Sequence, residues 1–347
     1  MKIALTGIAG FIGSHLAAQL VSRGDEVVGL DSFDDTLYPR FLHERNLQPI
    51  LDRVRVTEGD ILDVRCVDDL LAEKPDVVVH LAALAGVRSS LEQPIRYQRV
   101  NVEGTLNVLE ACRRRGVARF VFASSSSVYG VRSSAPFRED DAADRPASLY
   151  AATKRAGELL VVNYAHLYGI ASTALRFFTV YGPRQRPEMA IHKFARLILE
   201  RKPLPLFGDG ASARDYTYVD DIVEGTVAAI DRCDGGRHRV YNLGGSRPIP
   251  LSDVVKLLEQ NLGERAIVEL RGAQPGDVPV TSADVTLAGR ELGYSPRVPI
   301  EEGIARFSEW VLRERARLPA PAIPSARGAY AGAHSGESAT SSIPLAR

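Results

Sequence analysis

The chain has 347 residues, 45% of them apolar, and its 43 Lys+Arg balance 43 Asp+Glu. That length buries a large core and reads as two joined domains, while the zero net charge supplies no basic field for nucleic acid. Three distant cysteines (Cys66, Cys112, Cys233) without Cys-x-x-Cys spacing argue against a disulfide framework and a zinc site, fit a reducing cytoplasm, and leave no metal expected.

Lys2 and the apolar residues after it mimic a secretory leader, but Thr6, the glycines and His15 interrupt the apolar run. No stretch approaches the roughly 20 apolar residues of a membrane span. Arg113-Arg114-Arg115 stands beside acidic neighbours and reads as a solvated helix end.

Short apolar runs alternate with helical-period segments through the first half, the pattern of a doubly wound parallel sheet of Rossmann type. A strand at Lys2–Thr6 leads into Gly7, Gly10 and Gly13, which open a helix over Phe11–Arg23. Glycines there let the backbone turn tightly, so the helix N–H groups around Phe11 and Ile12 reach a pyrophosphate. An ordinary strand-to-helix turn has the same pattern, and context decides between the two. The next strand, Glu26–Asp31, ends in Asp31, eighteen residues beyond Gly13. An acid at that point bonds the adenine-ribose hydroxyls and repels a 2′-phosphate, so NAD is expected over NADP unless Arg40 or Arg45 folds back.

Strands at Val54–Glu58 and Val77–Leu81, with a helix at Val67–Glu73 between them, deliver Asp60 and Ile61, then Leu81, Ala82 and Ala83, to positions that line adenine and the central phosphates. For Leu81, plain core packing is an equal reading. Helices at Arg99–Arg114 and Ser148–Tyr168 and strands at Phe120–Ser124 and Ser172–Phe178 complete this half. Gly24, Gly116 and Gly169 close helices where a left-handed residue is wanted.

Ser125 follows the fifth strand, and Tyr150 and Lys154 are four residues apart on one helix face. A phenol titrates near about 10 and needs a nearby cation to act as a base near neutral pH. Ser125 and Tyr150 together suit the oxygen of a carbinol whose hydride leaves for a nicotinamide. Each is unspecific alone, because Ser124–Ser127 also reads as a polar strand end; behind a dinucleotide motif they point to catalysis.

From Val180 the alternation weakens, and the loops at Tyr181–Pro187 and Leu206–Arg214 are rich in Pro, Gly and Arg. Such loops carry the substrate side of an α/β enzyme. The expected division is a nucleotide domain at 1–179, rejoined by 216–246, and a smaller C-terminal α/β substrate domain at 180–215 and 247–318. Residues 319–347 lack large apolar side chains and are expected to be disordered.

The motifs Gly-x-x-Gly-Phe-Ile-Gly, Ser-Ser-x-x-Val-Tyr-Gly, Tyr-x-x-x-Lys and Arg-Asp-Tyr-x-Tyr-Val-Asp-Asp (Arg214–Asp221) resemble the extended short-chain dehydrogenases that act on nucleotide sugars. The resemblance runs from Met1 to about Leu318 and implies a retained NAD, a UDP-sugar substrate and a homodimer built from helices near Val102–Arg113 and Leu149–Tyr168. Relatives that dehydrate sugars carry Asp-Glu where this chain has Ser126 and Ser127, and the decarboxylating relatives carry a Glu there, which disfavours both chemistries. Leu175–Ala190 looks like the UDP-glucuronate 4-epimerases. That likeness implies Thr179 and Arg186 at the substrate carboxylate, Ser126 at the sugar, Phe207 near uracil, Arg214 at a phosphate, and Asp277 at the ribose. Asn101 is expected near the sugar or diphosphate and at the cofactor. Many relatives place an Arg where Gln274 stands, so here that charge is expected to rest either more heavily on Arg214 or on Arg271 reaching in. UDP-glucose or UDP-N-acetylglucosamine 4-epimerases and a non-catalytic dinucleotide-binding regulator are the alternative readings.

Overall fold

The structure, a computed structural model, describes residues 1–131, 135–207, 210, 212–272 and 280–315. The nucleotide half begins with β1 (Lys2–Thr6), α1 (Phe11–Ser22), β2 (Glu26–Asp31), α2 (Arg40–Leu47), β3 (Arg55–Glu58), α3 (Val64–Ala72) and β4 (Val77–His80). It continues through α4 (Val87–Glu92), α5 (Pro94–Gln98), α6 (Gly104–Arg115), β5 (Arg119–Ser125), α7 (Leu149–Tyr168) and β6 (Ala171–Phe177). Beyond these lie β7 (Thr179–Tyr181), α8 (Ala190–Leu199), β8 (Pro203–Phe207), β9 (Ala213–Tyr218), α9 (Val219–Arg232) and β10 (His238–Leu243). The chain then adds β11 (Pro248–Pro250), α10 (Leu251–Leu262), β12 (Ile267–Arg271), α11 (Thr286–Leu292) and α12 (Ile300–Glu314).

Seven parallel strands run in the order β10-β6-β5-β4-β1-β2-β3. The strands are apolar on both faces because helices cover both: Ile3, Leu5, Val77 and Val79 pack into one layer, and Ala4, Val28, Val78 and Phe120 into the other. The order reverses at β1 and β4, so a crevice opens beyond their carboxyl ends. The late strand β10 returns to pair with β6 from His238↔Ser172 to Leu243↔Phe177.

Outside this sheet, β9 pairs with β7 and β11, and β8 pairs with β12 in a two-stranded ribbon. Asp215 fastens these pieces together. It is fully buried and accepts hydrogen bonds from the backbone N–H groups of Gly245, Ser246 and Ala283 at 2.5, 3.0 and 2.8 Å. Asp221 takes the N–H groups of Arg297 and Val298 at 2.9 and 3.2 Å, just before α12. Much of the Arg214–Asp221 motif is therefore scaffold.

The helix expected over Arg99–Arg114 instead opens as a wide π turn at Arg99–Glu103 before α6 begins. Two contacts hold this segment. The Asn101 side chain bonds Leu84, and Gly104 lies so near Ile61 that a Cβ would stand 2.5 Å from its terminal methyl.

Candidate active site

The glycine loop is built by close approach of backbone to backbone. Gly7 has φ +76°, and a Cβ there would lie 2.7 Å from the Ala82 nitrogen; a Cβ on Gly13 would lie 2.0 Å from the Gly7 oxygen. Gly10 caps α1 without any side-chain hydrogen bond, so the first-turn amides around Phe11 and Ile12 face the crevice uncapped, as an anionic pyrophosphate needs. Asp31 at the end of β2 accepts from the N–H groups of Ala9 at 2.8 Å and Phe33 at 2.9 Å. Burial pushes its carboxyl upward while those amides and His43 oppose the shift. Arg40 is held by Glu44 and Glu58, and Arg45 pairs with Glu314, so neither turns back toward Asp31. The residues present fit a dinucleotide with a free 2′-hydroxyl.

Behind Leu81, Ala82 and Ala83 runs a chain of hydrogen bonds that sequence reading missed. The Ala82 N–H donates to Thr6 Oγ1 at 3.3 Å, and the Thr6 hydroxyl meets His80 Nδ1 at 2.7 Å. His80 Nε2 meets Thr105 Oγ1 at 3.0 Å, and Thr105 donates to the Asn101 carbonyl at 2.6 Å. Only an Nε2–H tautomer satisfies every link in that direction, an assignment made from the network. Burial pushes the His80 imidazole down to about 3, which keeps it neutral. Asp60 accepts from the Leu62 N–H at 2.9 Å, and Ile61 is buried beneath Gly104.

Asn101 does not present itself to a ligand as expected. It is 2% exposed, both its amide hydrogens are spent on the Leu84 carbonyl (2.9 Å) and Thr153 (3.0 Å), and its oxygen accepts from the Leu84 N–H (2.8 Å). It braces the segment after β4 against α7.

Ser125, Tyr150 and Lys154 converge where β5 meets α7. Ser148 caps α7 through the Ala151 N–H, which places Tyr150 in the first turn. The Ser125 hydroxyl lies in the electrostatic neighbourhood of the Tyr150 phenol and accepts from the Ser127 hydroxyl at 2.9 Å. Burial raises the phenol, and the influences that oppose this are Ser125 and Arg186. Lys154 follows one turn along α7 and is buried. Its ammonium donates to the Ala123 carbonyl at 2.8 Å and lies 5.1 Å from the Phe122 ring centre, and burial pulls it down to about 8.

Arg186 comes from the loop between β7 and α8. One guanidinium nitrogen donates to the Ala85 carbonyl at 3.1 Å and sits 3.0 Å from Glu188 Oε1; the other lies 3.5 Å from the Met189 sulfur. Thr179 is half-buried at the start of β7. A cavity of about 350 Å³ lies behind the same loop, against α2 and α12, with Arg186 on its wall.

Phe207 ends β8 with the Arg88 guanidinium 5.1 Å from its ring centre, and Arg271 is its register partner on β12. Half-buried Lys193 lies within electrostatic reach of Arg88, Arg196 and Arg271; burial first, then these three cations, lower its ammonium. Cations gathered this way suit a diphosphate. Arg88 and Lys193 were not foreseen, since a lone Arg in α4 and a Lys in α8 carry no motif. Arg214 is half-buried and donates to its neighbour's carbonyl, Ala213 O, at 3.1 Å. Asp277 and Gln274 lie outside the described residues. Among the described residues, no three His, Cys, Asp or Glu side chains are grouped to hold a metal ion.

Residues 3–244 match the NAD dependent epimerase/dehydratase family. The chain is 44% identical over 331 residues to UDP-glucuronate 4-epimerase 4 of Arabidopsis thaliana, which spans 90% of this chain and 75% of that one. It is 41% identical over 334 residues to protein CapI of Staphylococcus aureus, covering 90% and 98% of the two chains. Its fold matches the crystal structure of UDP-glucuronic acid 4-epimerase from Bacillus cereus in complex with UDP-glucuronic acid and NAD, with a TM-score of 0.85, 39% identity, and 90% and 99% of the chains covered. The chain belongs to the NAD dependent epimerase/dehydratase family, the class that its glycine loop, triad and sheet define.

Proposed function

We propose that this protein inverts C4 of UDP-glucuronic acid to give UDP-galacturonic acid, with NAD held in the crevice throughout. The observation that carries the reading is Arg186, fixed by Ala85 in the electrostatic neighbourhood of Tyr150 and Ser125. A guanidinium offers carboxylate a bidentate fork that Lys does not reproduce. The names of the relatives, UDP-glucuronate 4-epimerases among them, support the same substrate.

NAD would lie against Gly7, Gly10, Phe11, Ile12 and Gly13, with Asp31 at its ribose, Asp60, Ile61, Leu81, Ala82 and Ala83 along adenine and phosphates, and Tyr150 and Lys154 at the nicotinamide end; when bound it accepts and returns the C4 hydride. Tyr150 takes the C4 hydroxyl proton and later gives it back, and Ser125 hydrogen-bonds that same oxygen. The 4-ketone is a β-keto acid, which loses CO2 when its carboxylate stands perpendicular to the carbonyl plane. Arg186 and Thr179 hold it away from that orientation. Ser126 and Ser127 contribute no carboxylate for elimination. Phe207 packs on uracil, Arg214, Arg88 and Lys193 take the diphosphate, and Asp277 is proposed at the ribose.

This reading divides the chain into a nucleotide domain of 1–179 with 216–246, and a substrate domain of 180–215 with 247–318. We further propose a cytoplasmic homodimer. Three free cysteines support the compartment, and exposed Leu106, Leu159, Val162 and Leu167 on α6 and α7 support the dimer. Among the described residues no helix is long and apolar enough to cross a membrane.

The test is incubation of purified protein, without added NAD, with UDP-glucuronate, UDP-glucose and UDP-N-acetylglucosamine separately, reading C4 configuration by proton NMR. Inversion of glucuronate is expected. Inversion of glucose but not glucuronate overturns the substrate assignment.

A further inference from the structure

We infer that Tyr97 is a positioning residue for uronate recognition, acting on Arg186 through a shared carbonyl. The inference rests on the proposed role of Arg186 as the carboxylate clamp. Tyr97, on the short helix α5, is fully buried, yet its hydroxyl is committed: it donates to the Ala85 carbonyl oxygen at 3.1 Å. Arg186 donates to that same oxygen, also at 3.1 Å. Both lone pairs of one carbonyl are thereby engaged, and its direction is set from two sides. The residue just beyond it, Gly86, has φ +122°, a conformation that L side chains rarely adopt, so the turn that aims this oxygen requires glycine.

The Tyr97 ring also stands edge-on to Tyr150, with centroids 6.5 Å apart and planes at 88°. One buried side chain thus touches the proposed base and, through Ala85, the proposed clamp. Burial raises its phenol, with Ser89 and Arg186 opposing. It therefore stays protonated at neutral pH and remains a donor. Removing only the hydroxyl leaves the ring against Tyr150 but frees the Ala85 carbonyl to rotate. Arg186 keeps its contacts with Glu188 and Met189 and loses the anchor that fixes its distance from the sugar.

Tyr97→Phe isolates this effect. On NAD-loaded protein, calorimetric binding of UDP-glucuronate should weaken about three- to tenfold, the worth of one neutral hydrogen bond. Binding of UDP-glucose and of UDP alone should be unchanged, as should NAD content. In an Arg186→Lys background the same change should add nothing further, since both act at one oxygen. Equal weakening of all three ligands, or no weakening of any, overturns the positioning role. Arg186→Lys alone tests the underlying clamp: if it leaves UDP-glucuronate affinity intact, the clamp fails whatever Tyr97 does. If it weakens glucuronate selectively while Tyr97→Phe does not, the clamp stands and this inference falls.

Discussion

Glu158→Gln probes the support beneath the triad. Glu158 is 1% exposed and accepts hydrogen bonds from Ser124 Oγ at 2.6 Å, Arg176 Nε and Nη2 at 2.8 and 2.9 Å, and Arg155 Nη1 at 2.7 Å. Burial pushes its carboxyl upward, but Arg176, Ser124 and Arg155 outweigh that and hold it below the ordinary range. The amide keeps the shape and removes the charge, leaving the Arg176 guanidinium, 3% exposed, without its carboxylate. Breaking one side of a buried pair costs about 3–5 kcal/mol. An unfolding entropy of about 2.1 cal/mol/K per residue gives a unit of about 300 residues roughly 0.6 kcal/mol/K, so Tm falls by about 5–8 °C. Lys154 responds too, because Glu158 opposes the burial that pulls its ammonium from the ordinary 10.5 down to about 8. With the folded value depressed, the burial penalty on the charge is full below about pH 8 and is relieved as pH rises toward 10.5. Without Glu158 the proton leaves at still lower pH, and the alkaline limb of kcat/KM moves the same way. Thermal melts by circular dichroism and pH–rate profiles on NAD-loaded protein measure both effects. A Tm loss under about 2 °C with an unmoved limb refutes the reasoning.

Gly13→Ala places a methyl 2.0 Å from the Gly7 oxygen, so the loop must open; nucleotide released from the denatured variant should show most of the NAD lost, and full occupancy would contradict the cradle. Glu188→Gln removes the carboxylate 3.0 Å from Arg186. Because Glu188 is about a third exposed, the pair is worth under about 1 kcal/mol, and KM for UDP-glucuronate should fall roughly two- to fivefold; an increase would mean that Glu188 assists the clamp. Leu159→Arg puts a charge on the exposed apolar face of α7, and light scattering should then report a monomer; an unchanged dimer mass sets the interface elsewhere.

The sheet was readable because its signals are local. Parallel strands such as Ile3–Leu5 and Val77–Val79 are apolar on both faces, Gly116 and Gly169 end helices in the left-handed conformation, and a glycine loop must follow a strand. Strand ends differed by a residue at most from β1 to β6. The triad was readable as residue types but not in how each side chain is held. Spacing put Lys154 one turn from Tyr150, yet spacing does not say where a four-carbon stem points, and the Ala123 carbonyl takes it. Asn101 shows the same limit: an amide in that segment turns inward to the Leu84 backbone.

What remained hidden depends on contacts between elements distant in sequence. Arg88 and Lys193 sit about a hundred residues apart, and the fold brings Arg88 over Phe207 of β8 and into electrostatic reach of Lys193 on α8. Tyr97 reads as one more core aromatic, since nothing local distinguishes a buried hydroxyl with a structural partner from one that shares its acceptor with a functional cation. The distinction lies in the second donor on the Ala85 oxygen, which arrives from Arg186, 101 positions away. Local pattern therefore names the groups that meet the cofactor and the reacting carbon. The proposed selectivity for a carboxylated sugar turns on contacts one step further out, where long-range geometry decides what each cation is free to hold.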